Sequence, residues 1–180
     1  GISEWEYSFK MGLAPPVDHT TTLSVRNQRD RIVNHFPKTL SKDGTLTSQS
    51  IKFIMESIQQ RDSNSIKSPH APGSDHLFWQ CVESTNNRGW VHGGGVALAS
   101  VIIAWHCEEG LNHLISDLDR CKVLWRPVQL GISKHHLRLS LSAAPEFFND
   151  QDNGRNMKSI LCDNPIQGLR FEKLWDFLTG

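Results

Sequence analysis

Three groups of residues in this 180-residue chain have types and spacing that could carry chemistry. The first is the glycine run at residues 93–95, which stands in front of a long apolar segment. Glycines before a helix leave backbone N–H groups open to an anion at the positive helix end, so the run suggests a phosphate site. No Lys-Ser/Thr pair follows, and the GxGxxG spacing is absent, so the known nucleotide loops do not match.

The second group is the polar end of the same segment, made of His106, Cys107, Glu108 and, slightly later, His113. Such side chains bind metals or act as nucleophiles, yet neither an HExxH motif nor a paired-cysteine motif occurs. Cys107 could pair with His135 or His136, but four cysteines and nine histidines permit such a pair in any fold. We therefore predict no catalytic residue, no metal site and no cofactor, and a binding module rather than an enzyme.

The third group contains aromatic and acidic residues that could hold a flat cationic base. A guanine methylated at N7 carries delocalised positive charge, and each aromatic face stacked on it contributes roughly 1–3 kcal/mol. A carboxylate between two such faces accepts hydrogen bonds from the guanine N1–H and amine. The candidate aromatic residues are Trp5, His35, Phe36 and Trp105, and the candidate acids are Asp43, Glu108 and Glu109.

The composition excludes some classes of function. Nineteen basic and nineteen acidic residues balance to a formal charge of zero, whereas proteins that grip a long phosphate backbone are strongly basic. A nucleic-acid ligand would therefore be recognised by a local chemical feature. The four cysteines lack CxxC spacing and indicate reduced thiols in a cytosolic or nuclear protein. We predict no signal peptide and no membrane span.

The pattern of elements predicts a mixed α+β fold in one domain over residues 1–180, with short antiparallel strands packed against a small helical group. Alternating or β-branched segments predict strands at residues 5–10, 20–25, 32–36, 76–82 and 121–125. Apolar residues at helical spacing predict an amphipathic helix at residues 51–60. Residues 96–104 predict a core helix whose period continues towards residue 118, and residues 133–148 predict a helix or a strand with a short helix.

Several segments, taken in order, resemble a known family. Residues 7–10 read Tyr-Ser-Phe-Lys, and residues 99–109 read Ala-Ser-Val-Ile-Ile-Ala-Trp-His-Cys-Glu-Glu. His-His-Leu-Arg at residues 135–138 leads to Phe-Phe-Asn-Asp at residues 147–150. The chain resembles a divergent member of the cap-binding domain of polymerase basic protein 2 from influenza-type viruses (orthomyxoviruses). The match spans most of the chain at low residue identity.

The resemblance implies a set of cap-binding residues. A methylated guanine would lie between Trp105 and either His35 or Phe36. Trp5 would support the nucleoside, and Asp43 would bind the guanine edge. The family's guanine-contacting lysine has no counterpart, because the matching turn reads Glu-Ser at residues 56–57, although Lys52 lies one turn earlier. The implied phosphate contacts are His135 or His136, together with Arg26 or Arg31.

The same resemblance implies a function. The domain would be a fragment of a larger viral RNA polymerase subunit that holds the 7-methylguanosine cap of host pre-mRNA for cap snatching. Its partners would be capped RNA and other polymerase subunits, and its location the host nucleus and the virion. Two alternatives remain open. Residues 87–97 resemble the ADP-ribose loop of macro domains, and the domain could be a relic with only a structural role in the polymerase.

Overall fold

The computed structural model describes residues 9–10, 12, 15–16, 18–63, 74–150 and 159–180, and in these residues it contains helices and no strand. The helices are α1 (His19–His35), α2 (Ser48–Ser63), α3 (Ser74–Asn86), α4 (His92–Cys107), α5 (Leu111–Arg120), α6 (Pro127–Leu130), α7 (Lys134–Phe148), α8 (Ile160–Asp163) and α9 (Gly168–Thr179); a 3-10 helix, Phe36–Thr39, follows α1. The predicted α+β fold is therefore wrong, and the chain is all-α where it is described.

Four predicted strands fall on other structure. Residues 20–25 and 32–36 lie in α1 or just after it, residues 76–82 lie in α3, and residues 121–125 form a turn and a segment without regular secondary structure. In α1 and the first residue after it, the half-buried Val25, Ile32 and Phe36 are spaced by seven and four residues, which is helical spacing that outweighs β-branched propensity. The strand predicted at residues 5–10 lies largely outside the described residues.

The hydrophobic core lies among α3, α4 and α7, and α3 packs against both of the others. The predicted core helix and its continuation are confirmed as α4 and α5. The glycine run forms the first turn of α4, where a Cβ on Gly95 would come within 1.9 Å of the Trp79 ring. A Cβ on Gly94 would come within 2.7 Å of the Leu124 carbonyl oxygen. These glycines let α4 approach its neighbours closely.

The segment from α1 to α2, residues 18–63, is here called the N-terminal pair. The predicted helix at residues 51–60 is confirmed as part of α2. The buried residues among the described side chains of this segment are Thr39 and Ser50, and both are polar. The Thr39 carbonyl oxygen accepts hydrogen bonds from the Thr47 and Ser50 hydroxyls, each at 2.7 Å. Arg29 Nε donates to Asp117 Oδ2 at 2.6 Å and ties α1 to α5. None of the helices in the described ranges is long and apolar enough to span a membrane.

Candidate functional site

A groove of about 810 Å³ opens where the end of α4, the start of α5 and the first turns of α9 meet. We call it the Trp105 groove. Trp105 and Glu108 come from the first of these regions, and both were candidates from the sequence. The remaining lining residues are Gly110, Leu111, Asn112, His113, Leu169, Arg170 and Lys173. The groove therefore combines an aromatic wall with one acid and several basic side chains.

A sharp corner between α4 and α5 places Glu108 at this groove. Glu108 ends α4 in the left-handed region at φ 56°, and Gly110 precedes α5 at φ 67°. Glycine adopts this conformation freely, whereas a glutamate pays roughly 1–2 kcal/mol for it. Many helices end with a left-handed residue, and here that conformation brings the Glu108 side chain to the groove.

The start of α5 gives the groove a positive edge. Its N-cap is Gly110, which has no side chain to bind the first backbone N–H groups, and Leu114 N–H is the first to bond back, to the Gly110 carbonyl at 3.0 Å. The N–H groups of Leu111, Asn112 and His113 therefore stand at the positive end of a ten-residue helix. All three residues line the groove, so this edge attracts an anion.

Arg170 reaches the groove from α9 and lies against Trp105. Its guanidinium carbon is 5.7 Å from the Trp105 ring centroid, and its Nη2 donates to the His106 carbonyl oxygen at 3.3 Å. Its Nε is buried and finds no hydrogen-bond partner in the part of the chain that the structure describes. Lys173, one turn further along, is exposed. The two cations provide the side-chain charge that a phosphate group needs.

Two contacts behind the groove fix the end of α4. The Trp105 ring stacks on Phe177 of α9, with centroids 6.5 Å apart and planes at 28°. His106 is only 3% exposed, and its Nε2–H donates to the Asn164 carbonyl oxygen at 2.6 Å. Burial, together with the positive charge of Arg170, lowers the pKa of His106 below its ordinary value. His106 is thus a neutral structural link rather than a ligand.

The other residues predicted for a guanine sandwich do not line this groove where the structure describes them. Phe36 packs on Phe53, with centroids 6.2 Å apart, and lines a second groove between α1 and α2. His35 is exposed at the end of α1. Asp43 accepts hydrogen bonds from the hydroxyls of Ser41 and Thr45, which lower its pKa within an exposed turn. Trp5 lies outside the described residues. The structure therefore does not bring His35, Phe36 or Asp43 to the groove that Trp105 lines.

The residues predicted as phosphate contacts also lie elsewhere. Arg26 is exposed on α1, and the Arg31 guanidinium lies 5.2 Å from the Phe53 centroid. Lys52 forms an ion pair with Glu56 at 3.9 Å on α2. None of these lines the Trp105 groove.

The two predicted histidines sit at the start of α7. His135 is exposed there. His136 accepts a hydrogen bond on Nδ1 from the Ser133 backbone N–H at 3.2 Å, and its ring lies against Trp90. His136 therefore caps a helix, and neither histidine lines the Trp105 groove.

Arg170 and Lys173 line the groove but were not among the residues predicted from the sequence. A usable signal exists in α9, where the buried Phe171, Leu174 and Leu178 recur at helical spacing and mark the inner face. Arg170 and Lys173 lie off that face. What the sequence does not reveal is that this helix packs beside residue 105, because the contact joins positions far apart in the chain.

Neither the glycine run nor the metal-binding residue types form a second site in the described residues. Gly94 and Gly95 are buried under Leu124 and Trp79, so they do not form an open phosphate loop. Among the described residues no group of three or more His, Cys, Asp or Glu could hold a metal ion.

No protein-family model, curated protein or solved structure matches the chain.

Proposed function

We propose that the protein is a binding module whose Trp105 groove holds a phosphorylated nucleotide. The observation that carries this proposal is the convergence of Trp105, Glu108, Arg170 and Lys173 on the uncapped start of α5. The aromatic wall suits a base, because stacking on an aromatic side chain contributes roughly 1–3 kcal/mol. The cations and free N–H groups suit the phosphates, because charge-assisted hydrogen bonds are about twice as strong as neutral ones.

Within this class, we propose the 7-methylguanosine cap as the first ligand to test. Its triphosphate carries several negative charges for Arg170, Lys173 and the start of α5. Glu108 supplies a carboxylate that can accept from the guanine N1–H and amine. The Arg170 guanidinium lies over the Trp105 ring, so a base that stacks there displaces it towards the phosphates. A cationic base gains cation–π attraction to the Trp105 ring that a neutral base lacks, and a preference for the cap requires this gain to exceed the repulsion from Arg170.

The wider biological setting rests on the family resemblance alone. Membership of a viral polymerase, cap snatching, polymerase partners and a nuclear or virion location all stay predictions. The resemblance implies antiparallel strands, which the described residues do not contain. The cap proposal therefore stands on the chemistry of Trp105 and Glu108 and the cations beside them, rather than on the fold.

Calorimetric titration tests the proposal with 7-methyl-GTP, GTP, ATP and inorganic triphosphate as ligands. We expect 7-methyl-GTP to bind most tightly, and Trp105→Ala to weaken it by about ten- to a hundredfold, the loss of one stacking partner. Trp175→Ala is the matched control, since Trp175 is half-buried on α9 but does not line the groove. Glu108→Gln should reduce the preference for guanine over adenine nucleotides.

The phosphate contacts have their own test. Lys173→Ala should weaken all four ligands to a similar degree, inorganic triphosphate included, because it removes charge rather than base recognition. Lys42→Ala, an exposed cation in a distant turn, should leave all four unchanged. Equal affinity for GTP and 7-methyl-GTP would reject the cap while keeping the nucleotide. No binding of any nucleotide would reject the proposed function, and ADP-ribose binding that survives Trp105→Ala would favour the macro-domain alternative.

A further inference from the structure

One face of α2 exposes a row of apolar side chains. Ile51, Met55 and Ile58 are 53%, 61% and 41% exposed, respectively. Their spacing of four and three residues puts them on one side of the helix, here called the α2 stripe. Leu46, just before the helix, is 58% exposed as well. Single exposed apolar residues are ordinary, but a helical row of them marks an interaction surface.

The N-terminal pair gives this row a reason to find a partner. None of its described residues belongs to the hydrophobic core, whose first member in the chain is Leu77. The apolar surface of α2 extends beyond the groove against α1, which Phe53, Ile54 and Ile58 line. Ile51 and Met55 lie outside that groove and stay exposed, so the N-terminal pair provides no packing layer for them.

We propose that the α2 stripe pairs with the α2 stripe of a second copy of this chain, antiparallel about a twofold axis. The charges beside the stripe support this occupant. Lys52 and Glu56 lie one turn apart and carry opposite charges. In an antiparallel pair Lys52 faces Glu56 of the partner subunit, and the axis repeats the contact.

Charge also argues for a second copy over a foreign partner. The stripe and its two flanking charges are neutral together, so neither an acidic nor a basic partner is attracted to them more than the other. The whole chain has a formal charge of zero, so no long-range repulsion opposes the approach of two copies. The surface is complementary to itself in the antiparallel orientation, which is what a twofold interface requires.

Sedimentation equilibrium of the full chain, from micromolar to millimolar concentration, tests the interface. We expect a reversible monomer–dimer equilibrium. Met55→Lys should weaken the dimer by about tenfold or more, because it removes an apolar contact at the centre of the interface and puts two like charges near each other there. Val128→Lys is the matched control, since Val128 is 76% exposed on α6. A wild-type chain that stays monomeric throughout overturns the proposal, as does a dimer that Met55→Lys leaves intact.

A mixing experiment tests the antiparallel register. Lys52→Glu and Glu56→Lys should each weaken the dimer, since each places like charges opposite one another across the axis. An equimolar mixture of the two variants should dimerise again, because each chain then meets the opposite charges on its partner. The ion pair within each α2 stays broken in the mixture, so recovery reports contacts between copies rather than helix stability. A mixture no more dimeric than either variant alone overturns the proposal.

Discussion

The N-terminal pair and the remainder of the chain, α3 to α9, differ in the side chains that they bury. The second region, here called the helical body, encloses Trp79, Phe78, Phe148 and other side chains that are almost completely buried. The N-terminal pair buries two polar residues, Thr39 and Ser50, and leaves its large apolar side chains half-buried or exposed. The body is held by packing, whereas the pair is held by hydrogen bonds and by its contact with α5.

This difference separates stability from interaction surface. Burial of apolar area is the dominant favourable term in folding, so the helical body carries most of the free energy of unfolding. The Trp105 groove is built on that body, and Phe177 and Asn164 hold its α4 wall from behind. A rigid site needs such support. The N-terminal pair contributes an apolar surface instead.

The largest contrast should come from two leucine truncations. Leu98 in α4 is 1% exposed and Leu23 in α1 is 49% exposed. We expect Leu98→Ala to lower the free energy of unfolding by about 2–5 kcal/mol, because it leaves a cavity in the core. Leu23→Ala should change it by no more than about 0.5 kcal/mol. Urea denaturation followed by circular dichroism measures both, and similar losses would show that the pair shares the core of the body.

A glycine comparison within α4 sharpens the packing argument. Gly95→Ala should destabilise by roughly 1–3 kcal/mol, because its Cβ would overlap the buried Trp79 ring. A Cβ on Gly93 would have no heavy atom within 4 Å, so Gly93→Ala should stabilise the native state by up to about 1 kcal/mol through helix propensity. Thermal unfolding of the two variants is the measurement. Equal effects would mean that the glycines serve something other than close approach.

The dependence of stability on pH gives a smaller effect. Burial lowers the pKa of His106 from its ordinary value of 6.5, so the unfolded chain binds this proton more readily than the native state does. The stability linked to neutral His106 is full above pH 6.5 and is lost as the pH falls through the lower, folded-state pKa. Below pH 6.5 the free energy of unfolding should change by at most about 1.4 kcal/mol per pH unit, the limit for one proton. His106→Gln should flatten this slope.

His35, an exposed histidine at the end of α1, provides the control substitution, His35→Gln, for that experiment. Denaturant midpoints measured between pH 5 and pH 8 would compare the variants. A His106→Gln protein with the wild-type slope would show that another group, rather than His106, causes the loss of stability in acid.

The sequence predicts helices where apolar spacing is unambiguous, and fails where it is not. α2 and α4 follow from their spacing and length. Five of the seven residues at positions 76–82 of α3 are apolar and buried, and such a short run fits a strand or a helix equally. Ser74 and Asp75 before it are helix-start residues, and Asp75 does accept from the His76 backbone N–H at 2.9 Å.

The candidate site is predictable only in part, for a different physical reason. Trp105 and Glu108 are close in the chain, so the end of a buried helix identifies both. Arg170 reaches them through the packing of α9 on α4, which no local pattern encodes. His35 and Phe36, the aromatic partners predicted for Trp105, do not line its groove, because the prediction depended on a strand order that the described helices do not have. Contacts between distant segments follow from the fold, and the fold was the wrong one.

The central claim is that a nucleotide binds in the Trp105 groove, and amide chemical-shift mapping by NMR tests it most directly. Titration with 7-methyl-GTP, with GTP as comparison, should shift the amides of residues 108–113 and 168–173, and the Trp105 indole. The amides of residues 93–95 and 35–43 should stay in place. Shifts confined to either of those two segments, or no shifts at saturating nucleotide, would contradict the assignment of the site to this groove.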